Sequence, residues 1–596
     1  MCVKISLIGV LPMLLIATSS FSQPFELSHE FTPGLRGGEI IWGDLNNDGR
    51  LDFIQTGNDI DAHSTTRLFL NNGSGFTEVA TSLPQILEGA ADWGDYDNDG
   101  DQDLLIAGSS LGQVVTKIFK NEGGVLTVNN NIILHGIDRG SVEWGDYDAD
   151  GDLDILLSGQ DMNSSSVSII YQNNNNSFQE VFKDQLTGVS FGESSWVDYD
   201  GDGDLDILIS GVTGTSLNTG PSVTKLYENN GSSFLEKFEN NFENLSYSAM
   251  DFGDYDNDGD LDILLSGSTN SNTAFTALYQ NNKESGFETV HDGIFPPIIE
   301  GKVLWIDYDN DGDLDVFISG NIITNNEKIA QLYTNNGNGF DFEYSLAEAG
   351  QSAADIGDFD SDGDLDLFIS GQRNDFNIYS AIYKNINTNE ALSANPNSAP
   401  TTPTNLSSNV NSDKAILTWI KSTDNETNQD ALTYNIYLRN ELDTIKSPLS
   451  LENGKRKILK RGNTGSQTTY QFNNLSPGNY YWSVQAIDNS FAGSGFTEEQ
   501  SFTVDPPIVT GVELDHENNR FTIYPNPAKN KLTIEAKEII GPVNAELYDL
   551  HGRLLSKNIF IPSQDMQLEL NEASPGMYIL KLREKYSETV IKVIIE

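Results

Sequence analysis

The sequence predicts an all-β chain, a seven-bladed β-propeller followed by two β-sandwich domains, on three observations. A nine-residue acidic loop recurs seven times between Asp44 and Asp366, and six of the seven copies read D-x-D-x-D-G-D-x-D. The copies begin at Asp44, Asp95, Asp146, Asp198, Asp254, Asp307 and Asp358, at intervals of 51, 51, 52, 56, 53 and 51 residues, a periodicity that marks a repeat architecture. The apolar runs after the loops, such as Leu153-Asp154-Ile155-Leu156-Leu157-Ser158-Gly159, are too short and too glycine-bounded for helices and suit strands.

Each repeat reads as four strands. The first ends at a Trp-Gly pair, the acidic loop follows, the Leu/Ile-rich run is the second strand, and a hairpin supplies the last two. The hairpin signal is an Asn-Gly turn between apolar segments, as in Leu226-Tyr227-Glu228-Asn229-Asn230-Gly231 before Phe234, and again in Leu332–Gly337 before Phe340. Four-stranded units repeated radially make a propeller. The last repeat stops after Ile382-Tyr383-Lys384-Asn385 without its final strand, while Phe25-Glu26-Leu27 stands alone before the first. Phe25 lies 17 residues before Trp42, the same distance that separates Phe76 from Trp93. The N-terminal strand is therefore expected to complete the last blade and remove the open edge.

The loops carry the chemistry. The first holds Asp44, Asn46, Asp48, Arg50 and Asp52; the second Asp95, Asp97, Asp99, Asp101 and Asp103; the third Asp146, Asp148, Asp150, Asp152 and Asp154. The fourth holds Asp198, Asp200, Asp202, Asp204 and Asp206, and the fifth Asp254, Asp256, Asp258, Asp260 and Asp262. The sixth holds Asp307, Asp309, Asp311, Asp313 and Asp315, and the seventh Asp358, Asp360, Asp362, Asp364 and Asp366. Alternate carboxylates around a glycine turn converge on one point, which suits a hard cation with six to eight oxygen ligands at roughly 2.3–2.6 Å. Calcium is the expected ion, at up to seven sites. Without a cation, each pair of like charges 4 Å apart opposes the fold by about 4 kcal/mol at an effective dielectric of 20. By analogy with related loops, position 7 offers its backbone carbonyl, so Asp101 and its equivalents add charge without ligating. Asn46 and Arg50 make the first site the weakest. An EF-hand is excluded, because its twelfth position needs a bidentate Glu and the second copy has Ile106 there.

The tandem pattern W-G-D-Y-D-N-D-G-D-x-D-L-L followed by L-Y-x-N-N-G-x-x-F resembles FG-GAP/VCBS repeats, related to the integrin α-chain propeller, over roughly residues 25–390. The resemblance implies a calcium propeller with its cation loops on one face and ligands taken on the other. No repeat shows the full Gly-Ala-Pro triplet of the integrin form.

The 596 residues include 88 acidic and 34 basic ones, a formal net charge of −54 that bound calcium would partly offset. Such a surface repels nucleic acid and anionic membranes. The single cysteine, Cys2, precedes the apolar run Ile5–Ala17, and Ser20-Phe21-Ser22 follows as a small-residue site, so residues 1–22 read as an export signal cleaved before Gln23. Cys2 is then not a lipid attachment site, and the mature chain is expected to lack cysteine and any transmembrane segment. Metal binding would replace disulfides as the folding linkage.

The propeller is expected over 23–390 and a linker over 391–402. Residues 403–504 carry short alternating strands, among them Ala415–Trp419, Leu432–Leu438 and Leu475–Trp482, that predict a β-sandwich. Their order is similar to fibronectin type III domains, which implies a spacer or accessory binding module. Within it Lys455, Arg456, Lys457, Lys460 and Arg461 form a basic cluster, read as a solvated hairpin in preference to an anion-binding patch. After a second linker at 505–520, residues 521–596 run from Phe521-Thr522-Ile523-Tyr524-Pro525-Asn526-Pro527 to Pro575-Gly576-Met577-Tyr578. This segment resembles the type A C-terminal sorting domain of the type IX secretion system. That resemblance implies the type IX machinery as a partner, export across the outer membrane, and surface attachment or release.

No catalytic constellation is recognisable. The six histidines, His29, His63, His135, His291, His516 and His551, have no metal-ligand spacing, and there is no G-x-S-x-G, cysteine nucleophile or phosphate-binding glycine loop. The carboxylates are committed to cation loops, which argues against a glycosidase pair. Trp42, Trp93, Trp144, Trp196 and Trp305 stand two residues before the first Asp and are assigned to blade packing in preference to sugar stacking. The face opposite the loops is expected to carry Arg36, His63, His135, Arg139, Tyr247 and Phe295. The expected role is a secreted or outer-membrane-surface adhesion or ligand-binding protein, taking an extracellular glycan or protein. A lyase-like polysaccharide-degrading enzyme and a structural surface component are the alternatives.

Overall fold

The computed structural model describes residues 23–214, 220–291, 293–386, 397–451, 453–505, 521–536, 542–549, 552–560, 566–570, 575–584 and 587–595. The expected export signal, half of the first linker and nearly all of the second lie outside them. The chain forms two compact units: one holds the described residues up to Asn409 with 416–473 and 481–501, the other 410–415, 474–480 and the described residues from Phe502. No described helix is long and apolar enough to cross a membrane.

The first unit contains seven blades of four antiparallel strands. Blade 2 is typical, with Leu87–Gly94, Asp103–Ser110, Gln113–Asn121 and Leu126–Val128 in spatial order. Blades 6 and 7 share one 18-residue strand, Phe340–Gly357, which ends the first and begins the second and so joins them in one seven-stranded sheet. The N-terminal strand Phe25–Glu30 pairs with Ile378–Asn385, Phe25 opposite Asn385, and supplies the fourth strand of blade 7 as the sequence predicts. The innermost strand of each blade contacts that of the next, and Ile40–Gly43 of blade 1 contacts Phe340–Gly357, closing the ring.

Apolar residues alternate with inter-blade polar bonds. The five tryptophans are 1–7% exposed and serve packing, not display. Tyr96 stacks on Trp144 of the next blade at 5.9 Å, and Tyr147 on Trp196 and Tyr255 on Trp305 repeat the arrangement. The glycine after the tryptophan is required by this contact, since a Cβ on Gly94 would lie 2.7 Å from the Trp144 ring. A second seam is polar. Asn173, at the end of the third strand of blade 3, donates from Nδ2 to the carbonyls of Leu153 and of Tyr96 in blade 2. Asn71, Asn121, Asn229, Asn281, Asn335 and Asn385 do the same, and Asn71 reaches Phe359 across the closure.

Residues 404–504 form a sandwich of a three-stranded sheet (Thr404–Asn411, Lys414–Ile420, Thr469–Phe472) and a four-stranded sheet (Thr444–Lys446, Thr433–Asn440, Gly478–Ile487, Gln500–Val504). Trp419 packs on Tyr434 and Trp482 inside it. The described end of the first linker is not free chain: Asn397 bonds Asp488 and Thr401 bonds Thr423, because its polar side chains find partners on the sandwich. In the second unit, Phe521–Tyr524, Lys531–Ala536 and Met566–Glu569 form one sheet, and Leu554–Phe560, Val543–Tyr548, Gly576–Glu584 and Ser587–Ile595 another, around Leu532, Val543, Leu547, Leu580 and Val593.

Candidate metal centres and the axial channel

Each acidic loop leaves the end of an innermost strand, so all seven lie on one face. Position 1 is fixed by the turn. In loop 2 the Asp95 carboxylate accepts the N–H groups of Asp99 and Gly100, and loops 1, 5, 6 and 7 repeat this. Position 9 starts the second strand and is buried: Asp103 accepts from the backbone of Tyr96 and Asn121, and its six equivalents from the matching residues.

Carboxylate oxygens converge within 4.8 Å of one another for Asp95, Asp97 and Asp99, for Asp146, Asp148 and Asp154, for Asp198, Asp200 and Asp206, for Asp254, Asp256 and Asp262, and for Asp307, Asp309 and Asp311. At position 9, burial first and then neighbouring carboxylates push the carboxyl groups of Asp103, Asp154, Asp262 and Asp315 up. Asp103 and Asp262 rise to about 8, and Asp154 and Asp315 to about 9. At position 1, Asp146, Asp254 and Asp307 rise to about 7. Oδ1 of Asp97, Asp146, Asp309 and Asp360 is buried without a hydrogen-bond donor. Buried, crowded, undonated carboxylate oxygens are the donor set a hard cation needs, so the residues fit one.

The remaining predicted ligands are placed differently. At position 7 the side chains of Asp101, Asp152, Asp313 and Asp364 turn to the neighbouring loop and accept from Asn47, Asn98, Asn257 and Asn310, leaving the loop centre. Asp260 pairs with Lys283. In loop 1 Arg50 bonds Asp48 at 3.2 Å, placing a fixed cation on a carboxylate of the site. Loops 2 and 7 also hold a lysine: Lys120 reaches Asp97 and Asp99, and Lys384 reaches Asp360 and Asp362. In loops 3 and 5 the equivalent residue is neutral, Gln172 on Asp148 and Gln280 on Asp256.

The basic cluster of the sandwich is not a solvated hairpin. Lys455 bonds Asn47 and the Gly100 carbonyl, Lys457 the Gly151 carbonyl, and Lys460 Glu143. Lys446 bonds Asp198, Ser447 bonds Asp146, Gln467 bonds Asn257, Ser466 bonds the Gly312 carbonyl, and Ser490 bonds Asp358. The sandwich thus touches all seven loops, and the physical reason is charge: its basic segment meets the most acidic surface of the chain.

Behind this contact runs an axial cavity of about 530 Å³. Glu39, Asp92, Glu143, Glu193, Asp251 and Asp355 line it, with Lys302, Lys460 and Arg461 as counter-charges. Several of these carboxylates fasten the next blade: Asp92 accepts from the Trp144 N–H, Asp251 from Trp305, and Asp355 from Trp42. Burial raises Asp92 and Asp251 to about 6 and Asp355 to about 7. Burial alone would lower Lys302, but Glu193, Glu39, Asp251 and Asp355 hold it charged.

At the end of the axis remote from the loops, the innermost strand begins with a bulge in blades 2–7. In six blades its first residue is a non-glycine with left-handed backbone: Glu88, Arg139, Phe191, Tyr247, Glu300 and Gln351, with φ of 46–53°. These share one register, 51, 52, 56, 53 and 51 residues apart, the spacing of the loops themselves. Of the residues the sequence assigned to this face, Arg139 and Tyr247 belong to the ring and Arg36 bonds Gln351 at 2.7 Å. His63 and His135 sit outward beside Asp59 and Asp161. Phe295 does not reach the surface; it is core, packed between Tyr333 and Phe340, because the apolar ring finds the blade interior. The sequence reading missed Glu88, Phe191, Glu300 and Gln351, although a bulky residue before Gly or Ser, 51–56 apart, was the available signal.

Fold and site together define a propeller repeat protein that clusters carboxylates in at least five of its seven blades. Six overlapping matches to the FG-GAP-like repeat, at residues 44–106, 95–157, 146–209, 198–265, 254–318 and 307–369, each span two successive loops and together cover all seven. The chain belongs to the FG-GAP-like repeat family. Residues 522–596 match a secretion system C-terminal sorting domain, which makes this a secreted repeat protein. No curated protein matches the chain. Among solved structures, the FN1–FN3 domains of chicken CNTN1 are similar at 10% identity, covering 50% of this chain and 98% of that one, with a TM-score of 0.14 that supports no further inference.

Proposed function

We propose that this protein is a calcium-stabilised propeller, exported through the type IX secretion system, that binds an extracellular glycan or protein at or outside the cell surface and has no catalytic activity of its own. The observation that carries the calcium reading is the set of buried carboxylate oxygens without donors at Asp97, Asp146, Asp309 and Asp360, each inside a repeated loop. The second domain, read as a fibronectin type III module from its order of strands, engages the loop face, so ligands are assigned to the opposite face. The axial carboxylates hold neighbouring blades together, which supports binding over catalysis.

The test has two parts, both on the full mature chain. Calcium should raise the melting temperature and a chelator should lower it; an unchanged melt sinks the calcium reading. An array of bacterial, algal and plant polysaccharides, probed with and without calcium and followed by reducing-end assay, should give binding without cleavage. Cleavage would replace the reading with the lyase-like alternative.

A further inference from the structure

Deepening that reading and resting on it, we infer that the mouth of the axial channel remote from the loops is a binding site for a neutral glycan, with Phe191 and Tyr247 as its stacking platform and Arg139, Glu88 and Glu300 as its hydroxyl partners. The left-handed position that begins each innermost strand is one glycine fills without strain, and blade 1 uses Gly37 there. The other six blades place large side chains at this position at a cost in backbone free energy. Bulges re-aim side chains, and strain held at a repeated position points to use.

The side chains form a continuous arc. Arg139 lies 2.5 Å from Glu88 of the preceding blade and 5.3 Å over the Phe191 ring of the next, and Phe191 meets Tyr247 of the blade after that at 5.2 Å. Farther round, Arg36 bonds Gln351, and Asn321 fixes the Glu300 carboxylate at 2.8 Å. All are half-buried, so they are held in place yet reachable. Two adjacent rings flanked by a guanidinium and carboxylates match a pyranose, which offers an apolar C–H face and a rim of hydroxyls. The opposite end of the channel is engaged by Lys460 and the rest of the sandwich, which leaves this mouth as the approach. The channel below is lined by eleven acidic side chains against five basic ones, so uronate and sulfated chains are repelled and neutral ones are not.

The experiment uses the full mature chain in calcium with hexasaccharides of glucose, mannose, galactose or xylose, and a uronate hexasaccharide as the acidic counterpart. At least one neutral hexamer should bind, the uronate should not, and Tyr247→Leu, Phe191→Leu and Arg139→Gln should each weaken binding at least tenfold. Glu122→Ala, in an outer hairpin turn, should leave it unchanged. For a variant that fails to fold, the parent protein decides: bound sugar should slow amide exchange at residues 138–141, 190–193 and 246–249. Sugar binding that ignores the ring variants and leaves those amides unprotected overturns this site while the glycan reading of the protein stands. No binding of any neutral hexamer also overturns it, and leaves calcium stabilisation and a protein ligand untouched.

Discussion

The ammonium of Lys446, in the sandwich, lies against the carboxylate of Asp198, the first residue of the fourth acidic loop, and the two side chains are 6% and 7% exposed. One lysine thus occupies the position that a divalent ion would neutralise. Breaking a buried pair by removing one partner costs roughly 3–5 kcal/mol. Lys446→Met is expected to show that loss in chelator and much less of it in millimolar calcium, because the ion takes over the charge of Asp198. Chemical denaturation with and without calcium measures both; equal losses would mean that lysine and ion do not share the site.

Sites should differ in affinity according to their built-in cations. Arg50→Asp restores the acidic pattern of loop 1, and Lys120→Gln and Lys384→Gln give loops 2 and 7 the neutral partner already present in loops 3 and 5. Each change should tighten one site by roughly tenfold, about 1.4 kcal/mol. Calorimetric titration of the three variants against the parent resolves this, and unchanged isotherms would show that these side chains swing away when the ion binds.

The Asn at the end of each third strand should matter far more than its neighbour. Asn173→Ala removes two buried bonds that tie blade 3 to its own loop and to blade 2, for an expected loss of roughly 2–3 kcal/mol. Asn174→Ala, exposed in the adjoining turn, should stay within about 0.5 kcal/mol of the parent. Urea unfolding in calcium compares them directly.

Asp355 gives a pH dependence of defined sign. Burial raises its carboxyl from the ordinary 3.8 to about 7, so the folded state holds this proton more tightly than the unfolded one. Its contribution is fully present below about pH 4 and is lost as pH rises through 7. In saturating calcium, the melting-temperature advantage of the parent over Asp355→Asn should shrink by several degrees between pH 4.5 and 8. A constant gap would place the Asp355 proton elsewhere.

Much of this was legible in sequence because the repeat states it seven times. The loop aspartates, the buried Trp-Gly pairs and the closing strand at Phe25 all follow from local patterns and counted spacings. The contacts of the basic cluster were not legible, since Lys455 and Gly100 are 355 residues apart and no pattern couples them. The same holds for Phe295: an aromatic residue in a connecting segment reads as available for stacking until a neighbouring blade covers it. The ring of Glu88, Arg139, Phe191 and Tyr247 was hidden for another reason. Its side chains share a backbone conformation and not a chemistry, so a search for repeated residue types passes over it.

The pairing of Phe25–Glu30 with Ile378–Asn385 also sets a schedule. Phe25 leaves the ribosome 360 residues before Asn385 does. At synthesis rates of 5–20 residues per second, that strand waits roughly 20–70 s for its partner. Throughout that interval the circle stays open, and the first strand to be made is the last to find its place.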